Sequence, residues 1–147
     1  MAKVEASAER EIDAPADRVY GYLADMHQHQ HFLPPAFSDF QVEQGGVGQG
    51  TVTSFAVTAG GRTRNYRMRV TEPEPGRTLV ESDANSSLVT TFNVEPRDGR
   101  SLVRISTSWD GASGIGGFFE RTFAPKAMRK LYLDELDRLN AYAVGRQ

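Results

Sequence analysis

The 147-residue chain carries 17 Lys+Arg against 19 Asp+Glu, a net charge of −2, and no cysteine. That length suits a single domain over residues 1–147, which at this size buries about 68–70% of the surface its unfolded chain exposes and needs no metal or disulfide staple. The composition excludes a basic nucleic-acid surface, disulfides and thiolate chemistry, and any apolar run near the ~20 residues that span a bilayer.

The N-terminal stretch MAKVEASAEREIDAP has no long apolar core of the kind a secretion signal needs. The expectation is a soluble, cytoplasmic protein. Val4, Ala6 and Ala8 alternate with polar residues, and Ile12 closes the stretch, which predicts a strand over Lys3 to Ile12. Asp13-Ala14-Pro15 stops it. Pro15 fits a first helical turn, with Asp13 or Ala14 as cap. Val19, Tyr20 and Leu23 then follow helical spacing to Ala24. His27 to Leu33 reads as a short second helix ended by Pro34-Pro35, because proline disfavours the helical conformation in the residue before it.

Strand-like runs follow. Phe40 and Val42 alternate, then Thr51, Thr53, Phe55 and Val57 share a face. Gly60-Gly61 signals a hairpin. Tyr66, Met68 and Val70 share the next face, with Arg67 and Arg69 opposite. Glu72-Pro73-Glu74-Pro75-Gly76 is a turn, and Thr78 to Asp83 a short strand. Leu88, Thr90, Phe92 and Val94 alternate up to Pro96-Arg97-Asp98-Gly99, and Val103, Ile105, Thr107 and Trp109 alternate after it. One early strand plus six consecutive ones predicts an antiparallel meander. Gly111 to Gly117 reads as a flexible connector or gate. Helical spacing then runs almost to the end through Phe119, Phe123, Met128, Leu131, Leu136 and Leu139, with a kink or delayed start expected at Pro125.

This order predicts an α+β fold: a strongly bent seven-stranded sheet wrapped around a long C-terminal helix, with two short helices after the first strand. The volume between sheet and helix is available to a ligand. Four motifs in the same order carry a resemblance. EIDAPADRVYGYLADM resembles the opening of the START-like superfamily, also called SRPBCC, which includes birch-pollen-allergen-like and polyketide cyclase/dehydrase-like proteins. GVGQGTVTSF is similar to its glycine-punctuated strand, VTEPEPGRTLVES to its strand–turn–strand, and FFERTFAPKAMRKLYLDELDRL to its closing helix. The resemblance covers nearly the whole chain and implies the helix-grip fold. It says little about activity, because the superfamily hosts lipid and hormone binders, aromatase/cyclases, oxygenase subunits and chaperone co-activators.

All three histidines fall in DMHQHQHFLPPAF. His27 and His31 have the spacing of a zinc-binding helix, but a third ligand and a following glutamate are missing, so no metal is expected. Two readings stay open. The helix is a solvated surface element with Phe32 and Leu33 turned inward, or it is the lip of a pocket, where the resemblance places it. On the second reading His31 faces the ligand and either hydrogen-bonds a carbonyl or phenol or moves a proton near neutral pH. The predicted cavity set is His31, Phe32, Phe37, Phe55, Tyr66, Met68, Thr90, Phe92, Thr107, Trp109, Phe119 and Phe123. Apolar walls with a few hydroxyls suit a pocket, although each residue alone is equally at home in a core.

Arg62, Arg64, Arg67 and Arg69 read as a solvated strand face, with an anionic clamp as the alternative. Glu81, Asp83 and Asp110 show no partner in the sequence, so a paired acid–base site is not expected. No cofactor motif or nucleophile elbow is present. The leading expectation is a cavity that binds a small hydrophobic or aromatic molecule of lipid, isoprenoid or polyketide type. The resemblance also allows a polyketide cyclase or dehydratase, with His31 or Tyr66 transferring protons, and a co-chaperone-like protein-interaction module.

Overall fold

Seven alternating stretches and three helical ones become, in chain order, β1 (Lys3–Ile12), α1 (Ala16–Ala24), α2 (Met26–His29), a 3-10 turn (Gln30–Phe32), β2 (Phe37–Gln44), β3 (Val52–Ala59), β4 (Arg62–Glu74), β5 (Thr78–Asp83), β6 (Val89–Arg97), β7 (Arg100–Asp110) and α3 (Gly114–Val144). The computed structural model describes residues 3–59, 61–111 and 114–146, the side chains of 114–123 excepted. Part of the predicted Gly60-Gly61 turn and part of the predicted connector at Gly111–Gly117 therefore lie outside the described residues.

The strands form one antiparallel sheet in the order β1-β7-β6-β5-β4-β3-β2. Consecutive strands pair from β2 to β7, and β1 returns to lie along β7. Short hairpins make this meander possible. At the β6–β7 turn, Asp98 (φ 49°) and Gly99 (φ 80°) both take positive φ, the backbone that a two-residue hairpin loop needs to match strand twist.

Two sequence expectations shift locally. Pro15 is the N-cap of α1 and not its first helical residue. Asp13 does not cap that helix; its carboxylate pairs with the Arg100 guanidinium. The predicted helix over His27–Leu33 is instead α2 plus the 3-10 turn, because Asp25 begins a fresh helix by accepting from the backbone N–H of His27 at 3.0 Å. Likewise α3 starts at Gly114, inside the predicted connector, and runs through Pro125.

One hydrophobic core joins β1, α1, the 3-10 turn, the central strands and α3. Ile12, Val19, Leu23, Phe32, Leu79, Val94, Val103, Ile105, Leu136 and Leu139 are all buried there. Burying each such side chain contributes roughly 1.5–3 kcal/mol. Toward the middle of α3 the buried stripe changes character: Met128 and Leu131 are only partly buried, and the polar Glu135 is buried beside Tyr132. These four residues line a hollow.

The glycine loop between β2 and β3 fixes the start of α2. The Met26 N–H donates to Gly46 O at 2.8 Å, and the Gly48 N–H donates to Ala24 O at 3.0 Å. Glu72 clamps the same loop from β4. It accepts from the Tyr20 hydroxyl at 2.6 Å and from the Gln49 N–H at 2.7 Å, while its own N–H donates to Gln49 Oε1 at 2.6 Å. Gly48 sits at φ 70°, and a Cβ there would collide with the Glu72 carboxylate. Thus the glycines of GVGQG and the glutamate of VTEPEPGR hold the element from which the histidines project.

Candidate ligand-binding site

A hollow opens between the inner face of β2–β6 and the middle of α3. Its described lining is mostly apolar: Met26, Leu33, Phe37, Phe40, Phe55, Val57, Met68, Leu88, Phe92, Met128 and Leu131. Its polar lining is His29, Tyr66, Glu81, Thr90, Tyr132 and Glu135. The free space is about 60 Å³, smaller than the roughly 150 Å³ of an apolar cavity that takes benzene.

A backbone irregularity builds the aromatic side of the mouth. Asp39 takes φ 55°, and the β2–β3 register shifts between Ser38 and Gln41. That bulge turns Phe37 and Phe40, three residues apart, onto the same face. Both meet Phe55, with ring centroids at 5.4 and 6.1 Å, and Phe55 in turn meets Tyr66 at 5.7 Å. The Tyr66 hydroxyl approaches the Arg64 side chain. Burial pushes its pKa up, with Asp83 adding to the rise, while Arg64 partly offsets it.

The polar side is built from three distant elements. His29, only 2% exposed, stacks on Phe32 at 4.9 Å and meets Phe92 edge-on at 5.3 Å. Its Nδ1 lies 2.9 Å from Leu23 O, and its Nε2 lies 3.3 Å from Glu135 Oε2. A backbone carbonyl only accepts, so Nδ1 carries a proton. A proton on Nε2 as well would complete the contact with Glu135 as an imidazolium–carboxylate pair. Burial alone would lower the His29 pKa, but the facing Glu135, with Glu81 and the Leu23 carbonyl, raises it above the ordinary value.

Glu81 completes the group. Strand alternation turns Leu79, Glu81 and Asp83 inward, and the register sets Glu81 between Val70 and Thr90. Burial pushes its pKa up to about 7, His29 pulling it down and Glu135 pushing it further up. Next to it, the Thr90 and Thr107 hydroxyls lie 3.0 Å apart, Thr107 reaches Val89 O, and the Tyr132 hydroxyl meets both threonines. Among the described residues, no cluster of three or more His, Asp or Glu side chains is arranged to hold a metal ion.

The structure brings together six residues of the predicted set, Phe37, Phe55, Tyr66, Met68, Thr90 and Phe92, around this hollow. It does not bring His31 there. His31 is exposed and stacks on Tyr142 at 6.1 Å, because the 3-10 turn carries it to the outer side, and His29 faces inward instead. Phe32 is fully buried behind His29, Thr107 lies one shell back against Thr90, and Trp109 is half-buried on β7 opposite Val4; none of the three lines the hollow. Phe119 and Phe123 have side chains outside the described residues.

Sequence reasoning missed His29, Glu81 and Glu135 as a group. Asp83, expected to lack a partner, accepts from the Arg67 N–H and the Ser86 hydroxyl. Arg67 and Arg69 are exposed, and Arg67 pairs with Glu43 at 3.0 Å, which fits the solvated-face reading.

A family model described as polyketide cyclase / dehydrase and lipid transport matches residues 1–144. The chain belongs to this family. Among solved structures, this polyketide cyclase/dehydrase-family chain is similar to the KanY protein, at 34% identity and TM-score 0.86, covering 97% of this chain and 99% of that one. Norcoclaurine synthase from Thalictrum flavum, in complex with dopamine and hydroxybenzaldehyde, aligns at 16% identity and TM-score 0.73, over 99% of this chain and 89% of that one. The di-domain ARO/CYC StfQ from the steffimycin biosynthetic pathway aligns at 14% identity and TM-score 0.78, over 98% of this chain and 51% of that one. The last two show a shared fold. No curated protein matches the sequence. The helix-grip fold and the START-like resemblance are thereby borne out. No described helix is long and apolar enough to cross a membrane.

Proposed function

We propose that this polyketide cyclase/dehydrase-family protein binds a small hydrophobic or aromatic molecule, of lipid, isoprenoid or polyketide type, in the hollow between the sheet and α3. The observation that carries the reading is an apolar hollow, walled by Phe37, Phe40, Phe55 and Phe92, with a few polar groups in its lining. Such a site holds its guest by burial, at about 25 cal/mol for each Å² of apolar surface removed from water. Its polar groups set orientation. Because the free space is smaller than a benzene cavity, binding a ring-sized guest requires the half-buried Phe37, Phe40 and Phe55 to shift. Native mass spectrometry of the purified protein, with displacement of an environment-sensitive dye, tests this. A retained or titratable small molecule is expected in the wild type. It should be lost in Val57→Trp, which fills the hollow. Equal binding by wild type and the filled variant would place the ligand elsewhere and refute the reading.

One observation favours an enzyme as a second reading. His29, Glu135 and Glu81 bring two carboxyl groups and an imidazole into one dry space, and general acid–base work needs groups that exchange protons near neutral pH. A polyketide cyclase or dehydratase would add proximity catalysis by folding a flexible chain inside the hollow. Turnover of a poly-β-ketone mimic that falls at least tenfold in Glu81→Gln or Tyr66→Phe would support it. Binding without turnover favours the carrier. Nothing favours the protein-interaction reading: the exposed large apolar side chains among the described residues are Val47 and Val144, which form no patch.

A further inference from the structure

We infer that the carboxylic acid of Glu81 is the anchor of the hollow, donating a hydrogen bond to the carbonyl oxygen of a ketone, aldehyde or ester whose remaining surface is apolar. This deepens the binding reading above and rests on it. Four observations lead to it.

Glu81 is 7% exposed and lines the hollow from the middle of the sheet. Of the other described polar groups of the lining, His29 is bonded to Leu23 and Glu135 and Thr90 to Thr107, while the hydroxyls of Tyr132 and Tyr66 lie near the two threonines and Arg64. Among the described residues, none lies at hydrogen-bond distance from the Glu81 carboxyl, which is the one ionisable acid of that lining left without a partner. A buried polar group left so is unfavourable until something satisfies it.

The charges around it select the ligand class. Facing Glu81 are His29 from α2 and Glu135 and Tyr132 from α3, while Asp83 on its own strand is turned toward Arg67 N and Ser86. The His29 imidazolium is already matched by Glu135, so no cation remains for a Glu81 carboxylate. A lone buried carboxylate protonates sooner than pay for its desolvation. The resulting acid has one O–H donor at the wall of the hollow, and a carbonyl oxygen is a neutral acceptor that complements it. An anionic ligand meets the charge of Glu135. A hydrocarbon leaves the acid unsatisfied.

Four probes of nearly one size separate the cases: acetophenone, its hydrocarbon isostere α-methylstyrene, benzylamine and benzoate. Each is titrated by calorimetry into wild type, Glu81→Leu and Glu81→Gln at pH 6 and pH 8.5, with circular dichroism confirming that the variants fold. Wild type at pH 6 should bind acetophenone at least tenfold more tightly than α-methylstyrene. That preference should shrink about tenfold at pH 8.5, where the acid has lost its proton. Glu81→Leu should abolish it at both pH values. Glu81→Gln, whose amide still donates, should keep part of it and lose the pH dependence. Equal binding of ketone and hydrocarbon to wild type, or an undiminished preference in Glu81→Leu, overturns the inference and leaves the binding reading standing. Tightest binding of benzylamine also overturns it, since a cation calls for the carboxylate. If none of the four probes binds, the binding reading fails and this inference with it.

Discussion

Replacing Glu81 by leucine should stabilise the protein by clearly more in alkali than in acid. In the folded state the Glu81 pKa rises from the ordinary 4.5 to about 7. Between those values the folded protein holds a proton that the unfolded chain has released, so the stability linked to this group is fully present below 4.5. It falls as pH rises and is gone above about 7. At ~1.4 kcal/mol per pH unit the loss is about 3 kcal/mol. His29, whose pKa is also raised, acts in the same sense: the stabilisation its charge brings is present below 6.5 and is lost as pH climbs through its folded value. Attraction to His29 and repulsion from Glu135 offset each other at Glu81, so desolvation dominates what the leucine relieves.

Urea denaturation at pH 5 and pH 8.5 measures the effect. Wild type should lose about 3 kcal/mol or more between the two, and Glu81→Leu should lose about 3 kcal/mol less. For a chain of this length that is about 6–12 °C in Tm at pH 8.5. A leucine variant that is destabilised equally at both pH values would refute the argument, because the carboxyl would then be a satisfied structural group.

Removing the partner of a buried charge should have the opposite sign. Glu135→Ala strands the His29 imidazolium and should cost about 3–5 kcal/mol in urea titrations at pH 6. Tyr20→Phe deletes the 2.6 Å donor to Glu72 and should cost about 1.5–3 kcal/mol in the same assay, as expected for a bond to a charged acceptor. Gly48→Ala and Gly76→Ala both force alanine into positive φ, at 70° and 87°, but a Cβ meets Glu72 at the first and open space at the second. Both should lose about 1 kcal/mol to backbone strain. Gly48→Ala should lose measurably more, and equal losses would show that the Glu72 clamp gives way freely.

The fold was legible because its physics is local. Alternation in β1 and β4 to β7, glycine at the turns and one long helical stripe each point to the same sheet and helix. The polar side of the hollow was harder to read, because it joins residues 29, 81 and 135 across the whole chain. Signals for it existed. Met26, His29 and Phe32 recur every third residue and are all buried, whereas His31 breaks that spacing. Glu135 occupies the buried stripe of Tyr132, Leu136, Leu139 and Ala143. Glu81 alternates with Leu79 on a strand whose inner face is buried. A charged residue at an apolar position of the period marks a site more reliably than a cluster of histidines in sequence. The bulge at Asp39 could not be read from spacing at all, because it places Phe37 and Phe40 on one face against the period of the strand.

The same bulge gives the protein a division of labour. Phe37, Phe40 and Phe55 stand on the last two strands at one margin of the sheet, whereas Glu81 and Glu135 are set in its centre and on α3. On the proposed binding reading, exchanging the marginal aromatics would retailor the shape of the guest while the central carboxyl groups keep their places, so laboratory evolution could vary selectivity separately from polar anchoring.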